Sequence, residues 1–160
     1  MKRSLKVLFV CLGNICRSPT AEGVFKRLVR DAGLDEVVTS DSAGTGDYHI
    51  GDPPDPRACA AAAARGYDLS VLRGRQVSRK DFEEFDYVLP MDAQNMRELK
   101  RLCPAEHAHK LRYFTEFCSR GECTVPDPYG GGPKGFELVL DLVEDAAQGL
   151  LRHIRKELRL

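Results

Sequence analysis

The chain lacks an excess of either charge: 24 Lys and Arg are matched by 24 Asp and Glu in 160 residues. With no global potential there is no general attraction to nucleic acid or to an anionic membrane, so any anion site has to be built locally. Nor is there an apolar run long enough to span a bilayer. Lys2 and Arg3 precede Val7 to Val10, but that run is short and no small-residue cleavage site follows it. Internal repeats, low-complexity tracts and linkers are also absent, which predicts one domain over residues 1–160. A chain of this length can bury a core without disulfide staples. Its six cysteines are therefore read as mostly reduced thiols of a cytoplasmic protein.

What is present is an alternation of strand and helix signals. Leu5 to Val10 is nearly continuous in apolar residues, as in a strand buried on both faces. A helix follows, with Ser18 as a natural N-cap, Pro19 at its first position, an apolar stripe of Ala21, Val24, Phe25, Leu28, Val29 and Ala32, and Gly33 as its stop. The pattern then repeats. Val37–Ser40 reads as a second strand, Asp55-Pro56 opens an alanine-rich helix ending near Gly66, and Phe85–Leu89 reads as a third strand. A helix from about Asp92 to Leu102 comes next, and Lys110–Arg112 reads as a weaker fourth strand. Gly132-Pro133 opens a last helix with the stripe Phe136, Val139, Leu140, Val143, Ala147, Leu150 and Ile154. The expected fold class is α/β: a three-layer sandwich with a four-stranded parallel sheet flanked by helices.

In such sheets ligands bind beyond the carboxyl ends of the strands, where helix N-termini point. Cys11-Leu12-Gly13-Asn14-Ile15-Cys16-Arg17-Ser18 occupies that place after the first strand. Its backbone N–H groups can form a ring of donors for a phosphate, with Gly13 and Asn14 taking left-handed conformations. Cys11 lies at the base of this ring. A free thiol has a pKa of about 8.5, and cations or helix N-termini lower it to roughly 3.5–7.5. Arg17 can curl back and hold two phosphate oxygens through its planar fork. A cysteine after a buried strand is most often a small hydrophobe. The strand, the loop glycine and the helix start around this Cys-x5-Arg favour a nucleophile instead.

A second landmark lies far along the chain, in Val125-Pro126-Asp127-Pro128-Tyr129 followed by Gly130, Gly131 and Gly132. Two prolines stiffen the backbone around Asp127, a candidate proton donor to a leaving oxygen. Together, Val10 to Pro19 and Asp127-Pro128-Tyr129 resemble the low molecular weight protein tyrosine phosphatase family. Asp41 to Thr45, Asp52 to Asp55, Arg75-Gln76, Phe85 to Tyr87 and Met91-Asp92 resemble further family segments in family order.

That resemblance implies a flavodoxin-like core and hydrolysis of phosphotyrosine, or small aryl phosphates, through a phosphocysteine. Cys11 is then nucleophile, Arg17 binds the phosphoryl group, and Asp127 is acid and then base. Leu12, Gly13, Asn14, Ile15, Cys16, Ser18, Tyr48 and Tyr129 make up the substrate-binding set. Within it, Ser18 hydrogen-bonds the sulfur, Asn14 fixes the loop, and Leu12, Ile15, Tyr48 and Tyr129 line an aryl cleft. Cys16 resembles a second loop cysteine that can pair with the nucleophile and shield it from oxidation. No metal or cofactor is implied. The partners are a phosphotyrosine protein, with phosphate-like oxyanions as inhibitors and no nucleic acid or membrane. The glycine run resembles a bacterial variant, for which a tyrosine kinase controlling polysaccharide export is a substrate by analogy.

Two departures stand out. Arg65-Gly66 replaces a histidine–glycine pair whose histidine braces the loop asparagine, and Gly130 replaces a second tyrosine, which predicts a more open cleft. Three other readings compete. A thioredoxin-linked arsenate reductase needs relay cysteines, and none lies between Cys59 and Cys103. A zinc or redox module would use Cys103, His107, His109, Cys118 and Cys123, whose spacing is not that of a structural zinc site. A silent phosphate-binding protein would have no use for Cys11, Arg17 and Asp127 together.

Overall fold

The computed structural model describes residues 4–119 and 124–160. Strand β1 (Leu5–Cys11) lies at the centre of a parallel sheet ordered β2-β1-β3, with β2 at Val38–Gly44 and β3 at Tyr87–Pro90. The helices are α1 (Arg17–Asp31), α2 (Pro56–Ala64), α3 (Arg79–Glu84), α4 (Ala93–Leu102) and α5 (Pro133–Leu158).

The apolar run of β1 is buried on both faces because alternate residues serve different cores. Leu5, Val7 and Phe9 pack with Val24 and Phe25 of α1 and with Val139, Leu140 and Val143 of α5. Leu8 and Val10 pack on the other side with Phe82 of α3 and Leu99 of α4. Phe9 anchors the larger core by edge-on contact with Phe25 and Phe114, ring centres 5.6 and 5.1 Å away.

The sheet has three strands among the described residues rather than the expected four. Leu111 makes a single parallel bridge to Val88. On either side the chain coils into 3₁₀ turns, Ala105–Lys110 and Phe114–Phe117, so there is no room to extend the ladder. Helix α3 was not anticipated: six residues are too few to show a 3.6-residue period, although Ser78 and Asp81 form its capping box.

Helix α1 begins at Arg17, which makes Cys16 its cap and places Ser18 inside the first turn. Pro19 is tolerated there because first-turn amides have no helical partner to lose. By contrast, α2 follows the expected design, with Asp55 capping and Pro56 at the first position. Gly44 ends β2 where a side chain could not fit, since a Cβ would lie 2.7 Å from the Leu12 carbonyl. The amides of Thr45 and Gly46 then bond the Cys11 and Leu12 carbonyls at 2.9 and 3.0 Å, which docks the Cys11 loop against β2.

Candidate active site

The Cys11 sulfur is buried at the end of β1, 3.0 Å from the Ser18 hydroxyl, and accepts the Asn14 N–H at 3.3 Å. Asn14 takes the left-handed conformation, with φ of 59°. Of the two residues expected to do so, it alone does. Gly13 serves a different need, close approach, since a Cβ there would meet the His49 ring at 3.2 Å.

The strain of Asn14 is held by a buried network. Its Nδ2 donates to Ser18 Oγ at 2.8 Å and to Ser42 Oγ at 3.0 Å, and its Oδ1 accepts the Arg75 N–H at 2.9 Å. Ser42 in turn donates to Glu22 at 2.6 Å. Among the described residues, the amides of Gly13, Ile15, Cys16 and Arg17 find no acceptor. Such a set at a helix N-terminus suits a phosphate.

Arg17 is 3% exposed and reaches across the loop. Its Nη1 donates to Asp92 at 2.6 Å and to the Val125 carbonyl at 3.1 Å, while Nη2 lies 3.8 Å from the Asp127 carboxylate. Burial opposes its charge, but Cys11, Asp92 and Asp127 outweigh that and hold its pKa above the ordinary arginine value. Asp92 performs two tasks at once: one oxygen caps α4 through the Asn95 N–H at 2.8 Å, and the other orients Arg17.

A cleft of about 290 Å³ opens above the sulfur. Cys11, Leu12, Gly13, Ile15, Cys16 and Arg17 form its floor, and Tyr48, His49, Asp127 and Tyr129 its rim. A larger groove of about 600 Å³, beside Lys26, Arg27 and Tyr67, contains no cysteine. Asn14 and Ser18, read from sequence as part of the substrate-binding set, lie behind the loop. They touch the sulfur and one another rather than the cleft.

The structure adds four residues that sequence reasoning did not assign. Asp92 orients Arg17, and His49 sits over Gly13 with its Nδ1 3.1 Å from Asp52. Asp55 ties its amide to the Ile15 carbonyl at 2.8 Å, and Arg57 bonds both Asp55 and the Tyr129 carbonyl. Only the Asp55-Pro56 cap had a local signature.

Arg65 takes no part in bracing Asn14. It pairs instead with Glu137, Asp141 and Glu144 of α5 at 2.7–3.0 Å. Tyr67 donates to the same Glu144 at 2.6 Å, and burial together with that carboxylate pushes its pKa up to about 12. Among the described residues no three His, Cys, Asp or Glu side chains converge as a metal site, and Cys123 lies outside those residues. No helix among them is long and apolar enough to cross a membrane.

Residues 6–160 match the model of the low molecular weight phosphotyrosine protein phosphatase family. The chain is 46% identical to a low molecular weight protein-tyrosine-phosphatase of Streptomyces coelicolor, covering 95% of this chain and 94% of that one. It is 43% identical to a low molecular weight phosphotyrosine protein phosphatase of Schizosaccharomyces pombe, covering 96% and 99%. The crystal structure of a protein tyrosine phosphatase from Entamoeba histolytica superposes with a TM-score of 0.93 at 42% identity, covering 96% of this chain and 99% of that one. A match of this length and identity, on a fold that carries a buried Cys-x5-Arg loop beneath a cleft, shows that the chain belongs to the low molecular weight phosphotyrosine protein phosphatases.

Proposed function

We propose that the protein hydrolyses phosphotyrosine and small aryl phosphates through a phosphocysteine, with Cys11 as nucleophile, Arg17 as phosphate clamp and Asp127 as acid and base. One observation carries the reading. The Cys11 sulfur is at the floor of a cleft whose lining brings Arg17 and the Asp127 carboxylate within 3.8 Å of each other.

In the first step the sulfur attacks phosphorus as a thiolate, forming the S–P bond as the P–O bond to the leaving group breaks. The loop amides and Arg17 hold the three equatorial oxygens. Asp127 gives its proton to the departing oxygen, so the phenol leaves neutral. In the second step Asp127, now a carboxylate, takes a proton from water as that water attacks phosphorus. The S–P bond breaks, phosphate forms, and the thiolate returns stabilised by the Ser18 hydroxyl and the Asn14 amide. Tyr48 and Tyr129, both largely exposed at the rim, supply faces for an aryl ring.

Hydrolysis of p-nitrophenyl phosphate in EDTA tests this directly. Wild type is expected to turn over and Cys11→Ser to be inactive. Asp127→Ala should lose roughly 10²–10⁴-fold in kcat, the range for a positioned acid or base, since hydrolysis of the phosphocysteine also needs it as base. An inactive wild type, or full activity in Cys11→Ser, would refute the cysteine mechanism.

A further inference from the structure

Asp127 is 48% exposed on its side chain, and the chain after it runs into three consecutive glycines. Among the described residues, Arg17 Nη2 lies 3.8 Å from one oxygen of its carboxylate, and the other accepts a hydrogen bond from the Tyr129 N–H at 3.1 Å. The hydrogen bond that orients the proposed acid therefore depends on where the Tyr129 peptide is held.

That peptide is gripped by Arg57. Its Nη2 donates to the Tyr129 carbonyl at 2.9 Å, and its guanidinium carbon lies 5.4 Å from the centre of the Tyr129 ring and 4.9 Å from that of Phe136. Two rings and a carbonyl converge on one planar cation, an arrangement that lysine cannot reproduce. The same Nη2, together with Nε, makes a paired contact with Asp55, Nε to Oδ1 at 3.1 Å and Nη2 to Oδ2 at 2.9 Å. Asp55 is 7% exposed, caps α2, and bonds the phosphate loop through Ile15. Phe136 is buried with Ile15, Cys16 and Ala58, so the far side of the stack is anchored to the same loop.

We infer that Arg57 is a positioning residue for the general acid, registering the Asp127 loop against the phosphate loop through Asp55 and the Tyr129 peptide. The inference rests on the acid role proposed for Asp127. In the first step the proton passes from the Asp127 carboxyl to the leaving phenolate oxygen while the P–O bond breaks. Arg57 exchanges no proton; it sets the angle at which that carboxyl meets the oxygen. Loss of Arg57 then acts only as far as the leaving group needs its proton.

The test is kcat/KM, which reports phosphoenzyme formation, on p-nitrophenyl phosphate and on phenyl phosphate. The first releases a weakly basic phenolate, and the second one of about the basicity of tyrosine, pKa about 10. Arg57→Ala and Arg57→Lys should each lose no more than about 3-fold on the first substrate and about 10–30-fold on the second, a fraction of the loss assigned to the acid itself. In an Asp127→Ala background the same changes should cost nothing further. Equal losses on both substrates, or an undiminished loss in the Asp127→Ala background, would overturn the positioning role while leaving Asp127 as acid. An Asp127→Ala enzyme no more impaired on phenyl phosphate than on p-nitrophenyl phosphate would overturn the acid assignment and the clamp together. Thermal melting of each variant separates these outcomes from unfolding, because a folded Arg57→Lys protein with the leaving-group signature is what the inference requires.

Discussion

Cys11 and Cys16 belong to one loop, yet their surroundings make them different thiols. The Cys11 sulfur faces a hydroxyl and an amide N–H, whereas Cys16 is packed with Ile15, Ala58 and Phe136. Burial is the main reason the Cys16 pKa is pushed up to about 12, and the nearby charges of Asp55, Cys11 and Asp127 add to it. Because the shift favours the neutral form, Cys16 stays a thiol across the range in which a free cysteine near 8.5 ionises. The thiolate, the species that alkylates, is therefore scarce near neutral pH. Iodoacetamide at pH 7–8 should therefore leave Cys16 unmodified in the folded protein and modify it at the rate of an ordinary peptide thiol in guanidinium. Peptide mapping by mass spectrometry reads the result, and Cys16 alkylated equally fast in both states would show that burial does not govern it. The same burial slows any disulfide in which Cys16 attacks an oxidised Cys11, since the attack also needs its thiolate.

At the scale of elements, helix α5 illustrates how packing can reverse an intrinsic preference. Gly149 lies inside this helix, where replacement by Ala ordinarily stabilises by about 1 kcal/mol. Here a Cβ would be 1.9 Å from the Phe117 carbonyl oxygen in the 3₁₀ turn that the helix covers. That turn carries Phe114, buried against Phe9, and Phe117, which stacks under Arg112 at 4.8 Å. It cannot yield without disturbing both. Gly149→Ala should destabilise by about 1–3 kcal/mol, as overpacking does, read as a lower urea midpoint with unchanged slope; a raised midpoint would mean the turn moves freely. The elements legible from sequence carried their own signals: the apolar run of β1, the Asp55-Pro56 cap of α2, and the stripe of α5 behind Pro133. Lys110–Arg112 did not, because a strand exists through its neighbours, and Leu111 found a place for one bridge only. Ser18 misled for a related reason. Its hydroxyl has the chemistry of a cap but is committed to the Cys11 sulfur.

Across the whole molecule, the candidate site divides by sequence distance into what could and could not be read. Cys11, Asn14, Arg17 and Ser18 fall within eight consecutive residues, from the end of β1 to the first turn of α1, so their association was visible in the motif itself. Arg17 with Asp92, and Arg57 with Tyr129, meet across seventy-five and seventy-two residues, and no local pattern announces such contacts. This assembly makes oxyanion binding a property of the folded chain: the unfolded chain has the loop but not the Arg17 geometry that Asp92 and Val125 impose. A ligand that binds only the folded state stabilises it by RT ln(1 + [L]/Kd), about 2.7 kcal/mol at one hundred times Kd. For a chain of this size that corresponds to a rise in Tm of roughly 5–10 °C. Inorganic phosphate should produce such a rise in wild type while competing with p-nitrophenyl phosphate. Arg17→Ala should melt at a lower temperature, since it strands Asp92, and its Tm should not respond to phosphate. Because the net charge is near zero, the response should also be specific: chloride at matched ionic strength should not reproduce it. A phosphate shift of full size in Arg17→Ala, or none in wild type, would place the anion site elsewhere on the molecule.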